Sequence, residues 1–158
     1  MACMTGCDEK VVLKFWKERE DAVIPEIAYA GSSACWDLIA VEDTVIPARG
    51  SAVVENGLRV MIPEGWYLKI ADRSGNGFKK GLHCHSGILD SFYSGQIGVK
   101  LYNLTDQDQV ILKGNGICQV ETIKKPIIEI KEATQEEWEE YSHNTVRGEN
   151  GFGSSDKK

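Results

Sequence analysis

The sequence predicts an all-β domain of the jelly-roll or distorted β-barrel type, with one short helix near the C-terminus and a flexible C-terminal arm. Short runs rich in β-branched and aromatic residues recur along the chain. Several of them alternate apolar and polar residues with a period of two, as half-buried antiparallel strands do. Turn signals separate the runs, for example Asn56-Gly57 and the glycine pair at 114 and 116.

The predicted elements follow from this pattern in chain order. The runs predicted as strands are residues 11–15, 44–47, 52–54, 58–62, 66–70, 97–102, 109–112, 118–123 and 127–130. Residues 134–141 differ, because they open with the capping-box spacing Thr134 to Glu137 and contain good helix formers. They predict a short helix with Trp138 and Tyr141 on one face.

The chain has the length of a single domain, and 42% of its 158 residues are hydrophobic, which is enough for a packed core. We expect a disordered leader at residues 1–10 and the β domain at residues 11–141. From Ser142 to Lys158 the apolar periodicity stops, and three glycines fall within residues 147–155. Such a segment cannot build a core of its own, so residues 142–158 are predicted to form a flexible arm.

Charge and hydropathy exclude several classes of protein. The sum of 18 basic and 24 acidic residues gives a net charge of −6, which argues against binding nucleic acid or an anionic membrane through bulk charge. No apolar run approaches the ~20 residues of a membrane span, and the first ten residues lack the basic and apolar regions of a signal peptide. We therefore expect an intracellular protein, cytoplasmic or, in a eukaryotic or viral setting, nuclear or in the infected host cell.

The cysteines do not predict a disulfide framework, because they are odd in number and widely scattered: Cys3, Cys7, Cys35, Cys84 and Cys118. The run His83-Cys84-His85 is the sharper candidate for a metal site. On a strand, however, the two histidines point to one face and the cysteine to the other. Three ligands on one ion are therefore not expected.

Five glycine-containing stretches carry the functional signal. In chain order they are AGSSACWDL at 30–38, DRSG at 72–75, GILDSFYSGQIGV at 87–99, GNGICQ at 114–119 and RGENGFGSS at 147–155. This series resembles the five ordered motifs of the trimeric dUTPase family, from about Ile24 to Ser155. The third and fifth stretches are the most specific of the five.

The resemblance implies a jelly-roll homotrimer whose active sites are shared between subunits and closed by the C-terminal arm. The implied reaction is hydrolysis of dUTP to dUMP and pyrophosphate with Mg²⁺. This activity limits uracil incorporation into DNA and supplies dUMP for thymidylate synthesis. The implied partners are the nucleotide substrate and the other two subunits, with no nucleic acid and no membrane.

The third stretch is predicted to bind the nucleoside. By the resemblance, Asp90 polarises the attacking water and touches the sugar 3′-OH, as a carboxylate suited to general-base work can. Tyr93 packs against the deoxyribose and leaves no room for a 2′-OH. Gly87 and Ile88 belong to a base-binding hairpin at residues 82–99. Few polar side chains are available there, so we expect uracil to be read mostly by backbone groups.

The second and fourth stretches are predicted to bind the phosphates. The Arg73 guanidinium can form forked hydrogen bonds with phosphate oxygens, and Ser74 and the backbone around Gly75 add further donors. By the resemblance, Gln119 donates its amide to the α-phosphate. Asp37 anchors Arg73 or supports Mg²⁺ indirectly through water, because Mg²⁺ keeps several waters and binds substrate phosphates.

The fifth stretch is predicted to close over the substrate. Its glycines allow the backbone to wrap the phosphates, with Gly153 and Ser154 among the binding residues. Phe152 would stack on the base. Arg147 would meet the γ-phosphate as an arginine finger does.

The chain departs from the family pattern at four places, each occupied by a residue that the family does not usually have there. Trp36 replaces a tyrosine, Asp72 a proline, Asn115-Gly116 an Asp-Arg pair and His85 a small residue. Asp72 places a negative charge beside the expected phosphate site. These changes bear on rate and base selectivity, and the residues assigned to the chemistry are all present.

Two alternatives remain open at this point. One is a sibling in the superfamily that acts on dCTP, by deamination or by diphosphate hydrolysis. A deaminase would be expected to have a glutamate where Asp90 stands, so Asp90 favours hydrolysis. The other is a regulatory or partner-binding module that keeps the dUTPase fold.

Overall fold

The computed structural model describes residues 10–85, 87–146 and 148, and this part of the chain is dominated by short strands. The strands are β1 (Lys14–Lys17), β2 (Cys35–Ile39), β3 (Thr44–Ile46), β4 (Ser51–Val53), β5 (Leu58–Met61), β6 (Trp66–Ala71), β7 (Leu82–Cys84), β8 (Ile88–Asp90), β9 (Lys100–Asn103), β10 (Gln109–Ile111) and β11 (Gly116–Lys124). Two helices, α1 (Ser74–Lys80) and α2 (Gln135–Asn144), and one 3₁₀ turn (Tyr29–Gly31) complete the elements. Most of the predicted leader lies outside the described residues.

The strands form four sheets, and every pairing between them is antiparallel. The largest sheet has the order β2-β11-β6-β8, and a three-stranded sheet has the order β4-β9-β7. Strand pairs β1-β5 and β10-β3 form the two remaining sheets. Short antiparallel sheets around one core are the arrangement of a jelly roll, so the predicted fold class is confirmed.

One face of each strand supplies the core. In β6, Leu68 and Ile70 are buried while Lys69 between them is exposed, as a period of two requires. The largest fully buried side chains come from most of the sheets and the loops between them: Leu38, Ile46, Leu58, Leu68, Ile97, Leu101, Ile111 and Ile117. Burial of these apolar side chains is the main force that holds the sheets together.

The predicted C-terminal helix is confirmed as α2. Thr134 accepts from the Glu137 backbone N–H, and the Glu137 carboxylate accepts from the Thr134 N–H, so both halves of the capping box are present. The Trp138 and Tyr141 rings lie 5.9 Å apart, as their predicted common face requires. The helix continues to Asn144, so the boundary predicted at residue 142 lies inside it. This helix belongs to a second compact unit, Ile127–Lys158, which follows the unit Met1–Pro126.

Besides the predicted C-terminal helix, the structure contains α1, which the sequence analysis missed. Its sequence SGNGFKK has two glycines and an asparagine, which are poor helix formers. A tertiary contact stabilises it: the buried Asn76 amide donates to the carbonyls of Gly116 and Ile117 at 3.1 and 2.8 Å. Gly81 ends the helix with a left-handed φ of +62°, a conformation that favours glycine.

Two predictions about strands were wrong. Residues 127–130 form no strand in the structure, and their isoleucines Ile127, Ile128 and Ile130 are exposed. Residues 82–99 do not form a hairpin, since β7 pairs with β9 and β8 pairs with β6. The base-binding segment therefore crosses from one sheet to another. Strands β2, β7 and β8 were not predicted.

The alternation predicted for His83-Cys84-His85 is confirmed. Cys84 is buried, whereas His83 on β7 and His85 immediately after it are both exposed. Within the described ranges no group of three His, Cys, Asp or Glu side chains could hold a metal ion. No helix of the described part is long and apolar enough to cross a membrane.

Candidate functional site

The residues of the third motif line one cavity, which we call the β8 cavity. It has a volume of about 630 Å³, and its walls include Gly87, Ile88, Asp90, Tyr93, His85 and Lys100. Asp90 is the last residue of β8 and has an exposed side chain. The strand thus places a carboxylate at the mouth of a cavity whose walls are largely apolar.

A tight turn fixes Tyr93 beside Asp90. The Tyr93 N–H donates to the Asp90 carbonyl at 3.2 Å, and the Tyr93 hydroxyl donates to the Gln96 carbonyl at 3.2 Å. The ring covers Gly95 so closely that a Cβ there would lie 2.2 Å from the Tyr93 hydroxyl oxygen. Phe92 in the same turn has a φ of +65°, a left-handed conformation that is strained for an aromatic residue. The turn therefore holds the Tyr93 ring in one orientation against the cavity.

The residues of the first, second and fourth motifs line a different cavity, the α1 cavity. Its volume is about 470 Å³, and its walls include Asp37, Arg73, Ser74, Gly75 and Gln119. The register of the largest sheet brings these three motifs together. Gln119 of β11 lies between Asp37 of β2 and Ala71 at the end of β6, immediately before the 72–75 stretch.

Two contacts hold Arg73 in the α1 cavity, and a third feature, the missing side chain of Gly116, leaves it room. Its Nη2 lies 2.9 Å from the Asp37 carboxylate, so the predicted anchoring of Arg73 by Asp37 is present. Its Nη1 donates to the Gly116 carbonyl at 3.1 Å. A Cβ on Gly116 would lie 2.5 Å from the Arg73 guanidinium carbon. Gly116 stands where the family usually has an arginine, and its missing side chain leaves the space that the Arg73 guanidinium occupies.

The negative charge of Asp72 is not directed to the α1 cavity. Its carboxylate accepts from the backbone N–H of Cys84 and from His83 Nδ1, the latter at 2.7 Å. Both partners lie on β7, whereas Arg73 bonds to β2 and β11. Asp72 thus bonds the 72–75 stretch to β7, and the adjacent Arg73 bonds it to β2 and β11. Another departure, Trp36, is buried and donates from Nε1 to Thr122 Oγ1 at 3.2 Å.

The pKa values of two thiols, those of Cys35 and Cys118, are raised above their usual range. Burial is the main cause that raises the pKa of Cys35, with the charges of Glu121 and Asp37 adding to it. Contact with Cys84, followed by burial, raises the pKa of Cys118 far above its usual range. A thiol needs its thiolate form to act as a nucleophile, so neither cysteine is a candidate for catalysis.

Among the described residues, none lines both the β8 cavity and the α1 cavity. Strand β6 lies between β8 and β11 in the sheet. Asp90 of β8 lies opposite Tyr67 of β6, and Gln119 of β11 lies opposite Ala71, four residues further along β6. Four residues of strand and two strand spacings place the Asp90 and Gln119 Cα atoms about 16 Å apart. Within one chain these two side chains are therefore too far apart to contact the same phosphorus atom.

The remaining predicted site residues, Arg147, Phe152, Gly153 and Ser154, lie outside the described residues. Sequence analysis missed Asn76, which fastens α1 to β11, and Lys100, which lines the β8 cavity. The signal for Lys100 is a charged residue within the otherwise apolar run 97–102. Asn76 follows the DRSG stretch and has no comparable signal.

Comparison with known proteins supports the resemblance across nearly the whole chain. The family model for dUTPase matches residues 20–156. The deoxyuridine 5′-triphosphate nucleotidohydrolase of Oryza sativa is 38% identical over 147 residues, covering 91% of this chain and 80% of the relative. That of Paramecium bursaria Chlorella virus 1 is 38% identical, covering 86% of this chain and 92% of the relative.

Solved structures share the fold. The Staphylococcus bacteriophage 80alpha dUTPase with dUPNHPP has a TM-score of 0.78 and 26% identity, covering 94% of this chain and all of that one. A mutant dUTPase from phage phi11 of S. aureus, which coordinates a structural Mg(II) ion, has a TM-score of 0.72 and 21% identity, covering 79% and 98% of the two chains. The ordered motifs, the two cavities and these similarities agree: the chain belongs to the dUTPase family.

Proposed function

We propose that this chain hydrolyses dUTP to dUMP and pyrophosphate. The observation that carries the proposal is the placement of Asp90 at the mouth of the β8 cavity, next to the Tyr93 ring. A nucleoside in this cavity would present its phosphates toward an exposed carboxylate. The nucleotidohydrolases that this chain resembles are named for the same substrate.

Asp90 acts as the general base in this proposal. Its carboxylate accepts the proton of a water molecule aimed at phosphorus. A P–O bond forms to the water oxygen, the anhydride P–O bond breaks, and pyrophosphate leaves. Tyr93 packs against the deoxyribose and rejects a 2′-OH by lack of space.

The α1 cavity binds the phosphates. Asp37 and the Gly116 carbonyl orient the Arg73 guanidinium before substrate arrives, which reduces the cost of ordering it on binding. Gln119 and Ser74 add uncharged donors at the same cavity. Such pre-oriented donors stabilise the charge that develops on phosphate oxygens during the reaction.

The distance of about 16 Å between Asp90 and Gln119 supports a site shared between subunits. We expect the β8 cavity of one subunit to face the α1 cavity of another in a homotrimer. The exposed isoleucines at 127, 128 and 130 also support an oligomer, because exposed apolar residues in sequence are typical of a surface covered by a partner. Arg147, Phe152, Gly153 and Ser154 would then close the site as a flexible arm.

Mg²⁺ fits the residues that are present. The described residues contain no cluster of carboxylates for a protein-held ion, and Asp37 already bonds to Arg73. Mg²⁺ binds readily through substrate phosphates and waters, so Asp37 would support it only through water. When bound, the ion neutralises charge on the triphosphate.

Pyrophosphate release from dUTP, dCTP, dTTP and UTP, with and without Mg²⁺, tests the proposal. We expect dUTP with Mg²⁺ to give the highest kcat/KM. Faster release from dCTP would favour the dCTP-acting alternative, and no release from any nucleotide would favour a regulatory module. An intracellular enzyme of this activity would limit uracil in DNA and supply dUMP for thymidylate synthesis.

A further inference from the structure

The segment that carries Tyr93, residues 91–97, separates two cavities, and we call it the Tyr93 turn. Phe92 and Tyr93 line the β8 cavity and also a neighbouring groove of about 540 Å³, whose walls include Arg59 and Met61. Side chains in a protein interior are held by dense packing, whereas this turn borders open space on both sides. Its position therefore depends on the hydrogen bonds that its backbone makes.

The two ends of the Tyr93 turn are bonded to β5 and to the residues beside it. The Phe92 N–H donates to the Ile62 carbonyl at 3.5 Å, and the Ile97 N–H donates to the Leu58 carbonyl at 3.0 Å. The Ile97 carbonyl accepts from the buried Asn56 amide at 2.6 Å. These bonds fix where the turn begins and ends, and its middle depends on other contacts.

Arg59 of β5 supports the middle of the turn. Its backbone forms an antiparallel bridge with Gln96, and its Nη1 donates to the Ser94 carbonyl at 2.8 Å. The Gln96 carbonyl is also the acceptor of the Tyr93 hydroxyl. Arg59 thus contacts both the residue that follows Tyr93 and the residue that binds its hydroxyl.

Glu18 orients the Arg59 guanidinium. Its carboxylate accepts from Nε, so the guanidinium lies between this carboxylate and the Ser94 carbonyl. Glu18 is itself fixed, because its N–H donates to the Gly57 carbonyl at 2.9 Å. The planar guanidinium can bond to both partners at once, which a lysine ammonium does with less precision. Arg59 does not line the β8 cavity, so it would act on a bound nucleoside only through the turn.

We propose that Arg59, oriented by Glu18, is a positioning residue that keeps the Tyr93 ring where it rejects a 2′-OH. This inference rests on the proposed function and adds the residue on which the place of the ring depends. The left-handed φ of +65° at Phe92 persists only where neighbouring contacts hold it. Without Arg59 the middle of the turn relaxes toward the groove, and the ring leaves room for a ribose. Asp90 keeps its place, because β8 pairs with β6.

The test measures kcat/KM for dUTP and for UTP in the full-length protein and in its variants. Arg59→Met keeps the unbranched stem and removes both donors. Arg49→Met is the matched control, because Arg49 is another exposed arginine, pairs with Asp106 and lines neither the two cavities nor the groove. We expect the dUTP-to-UTP ratio to fall roughly 10-fold in Arg59→Met, less in Arg59→Lys, which keeps a charged donor, and not at all in Arg49→Met.

A double-mutant cycle shows whether Arg59 acts through the ring. In a Tyr93→Ala background, Arg59→Met should change the ratio little further, because the ring that Arg59 positions is already gone. Losses that multiply in the double variant would overturn the inference. So would an unchanged ratio in Arg59→Met, or an equal loss for both nucleotides.

A second variant keeps the test open if Arg59→Met does not fold. Glu18→Met removes the acceptor of the Arg59 Nε, so it should lower the ratio by a smaller factor, and an unchanged ratio there would also overturn the inference. Failure of the proposed function is distinguishable, because the unsubstituted protein would then release no pyrophosphate from dUTP.

Discussion

The guanidinium of Arg73 lies directly against the backbone of Gly116. A Cβ at residue 116 would be 2.5 Å from the Arg73 Cζ, closer than non-bonded carbon atoms come in proteins. The Gly116 carbonyl accepts from Nη1 at the same time, and Asp37 holds Nη2. The missing side chain at Gly116 therefore leaves Arg73 the space for its present position.

Gly116→Ala should displace Arg73 and lower kcat/KM for dUTP by roughly 10- to 100-fold, since an error of about 1 Å in a positioning group has effects of this size. Gly77→Ala is the control. Its added Cβ would meet only the Leu82 carbonyl, at 3.9 Å, and alanine favours the helix in which it lies. Steady-state kinetics of both variants give the comparison. Equal activities would show that Arg73 does not need its present position.

Gly95→Ala should act through Tyr93. The new Cβ would overlap the Tyr93 hydroxyl, at 2.2 Å, so the ring must leave its place at the cavity wall. We expect the preference for dUTP over UTP to narrow, as it should in Tyr93→Ala. Tyr93→Phe keeps the ring and loses only the bond to the Gln96 carbonyl, so it should keep the preference. A full dUTP preference in Gly95→Ala would count against the assigned role of this ring.

Asp90→Asn should lower kcat by roughly 10² or more and leave KM little changed, because the amide keeps the size of the side chain and loses its basicity. Asp106→Asn provides a control, since Asp106 is exposed and pairs with Arg49 away from both cavities. Turnover of Asp90→Asn within a few-fold of the unsubstituted protein would remove Asp90 from the mechanism.

Asp72→Ala should destabilise the fold. It leaves the part-buried N–H of Cys84 without its acceptor, at a cost of about 1–3 kcal/mol. Tm should fall by several degrees. Asp72→Asn retains an acceptor oxygen and should recover most of the loss. Thermal unfolding followed by circular dichroism measures both, and an unchanged Tm in Asp72→Ala would show that this contact contributes little.

The strands with clear alternation were predictable from sequence. The prediction of residues 66–70 matches β6 to within one residue, and that of residues 44–47 matches β3 equally well. The helix α1 was not predictable, because glycines at 75 and 77 oppose helix formation and the contact that stabilises it joins Asn76 to residues about forty positions away. At residues 127–130, alternating isoleucines predict a strand, and none of the described strands pairs with this segment.

The candidate site was predictable as a set of residues, and its arrangement was not. Motif order indicated Asp90, Arg73 and Gln119, and the structure places each at a cavity. Which of them lie together depends on strand register, which a sequence does not state. Lys100 was missed because its place at the β8 cavity and its contact with the Tyr102 ring depend on how the strands pack.

The central claim is that one active site takes Asp90 from one subunit and Arg73 from another. Mixing two nearly inactive variants, Asp90→Asn and Arg73→Ala, tests it most directly. Trimers assembled at random from equal amounts contain sites with an intact Asp90 and an intact Arg73 at a frequency of one half times one half. We therefore expect pyrophosphate release from dUTP to recover to about a quarter of the activity of the unsubstituted protein after co-expression or refolding together. Activity that stays at the level of the separate variants, in trimers shown to be mixed, would contradict the shared site.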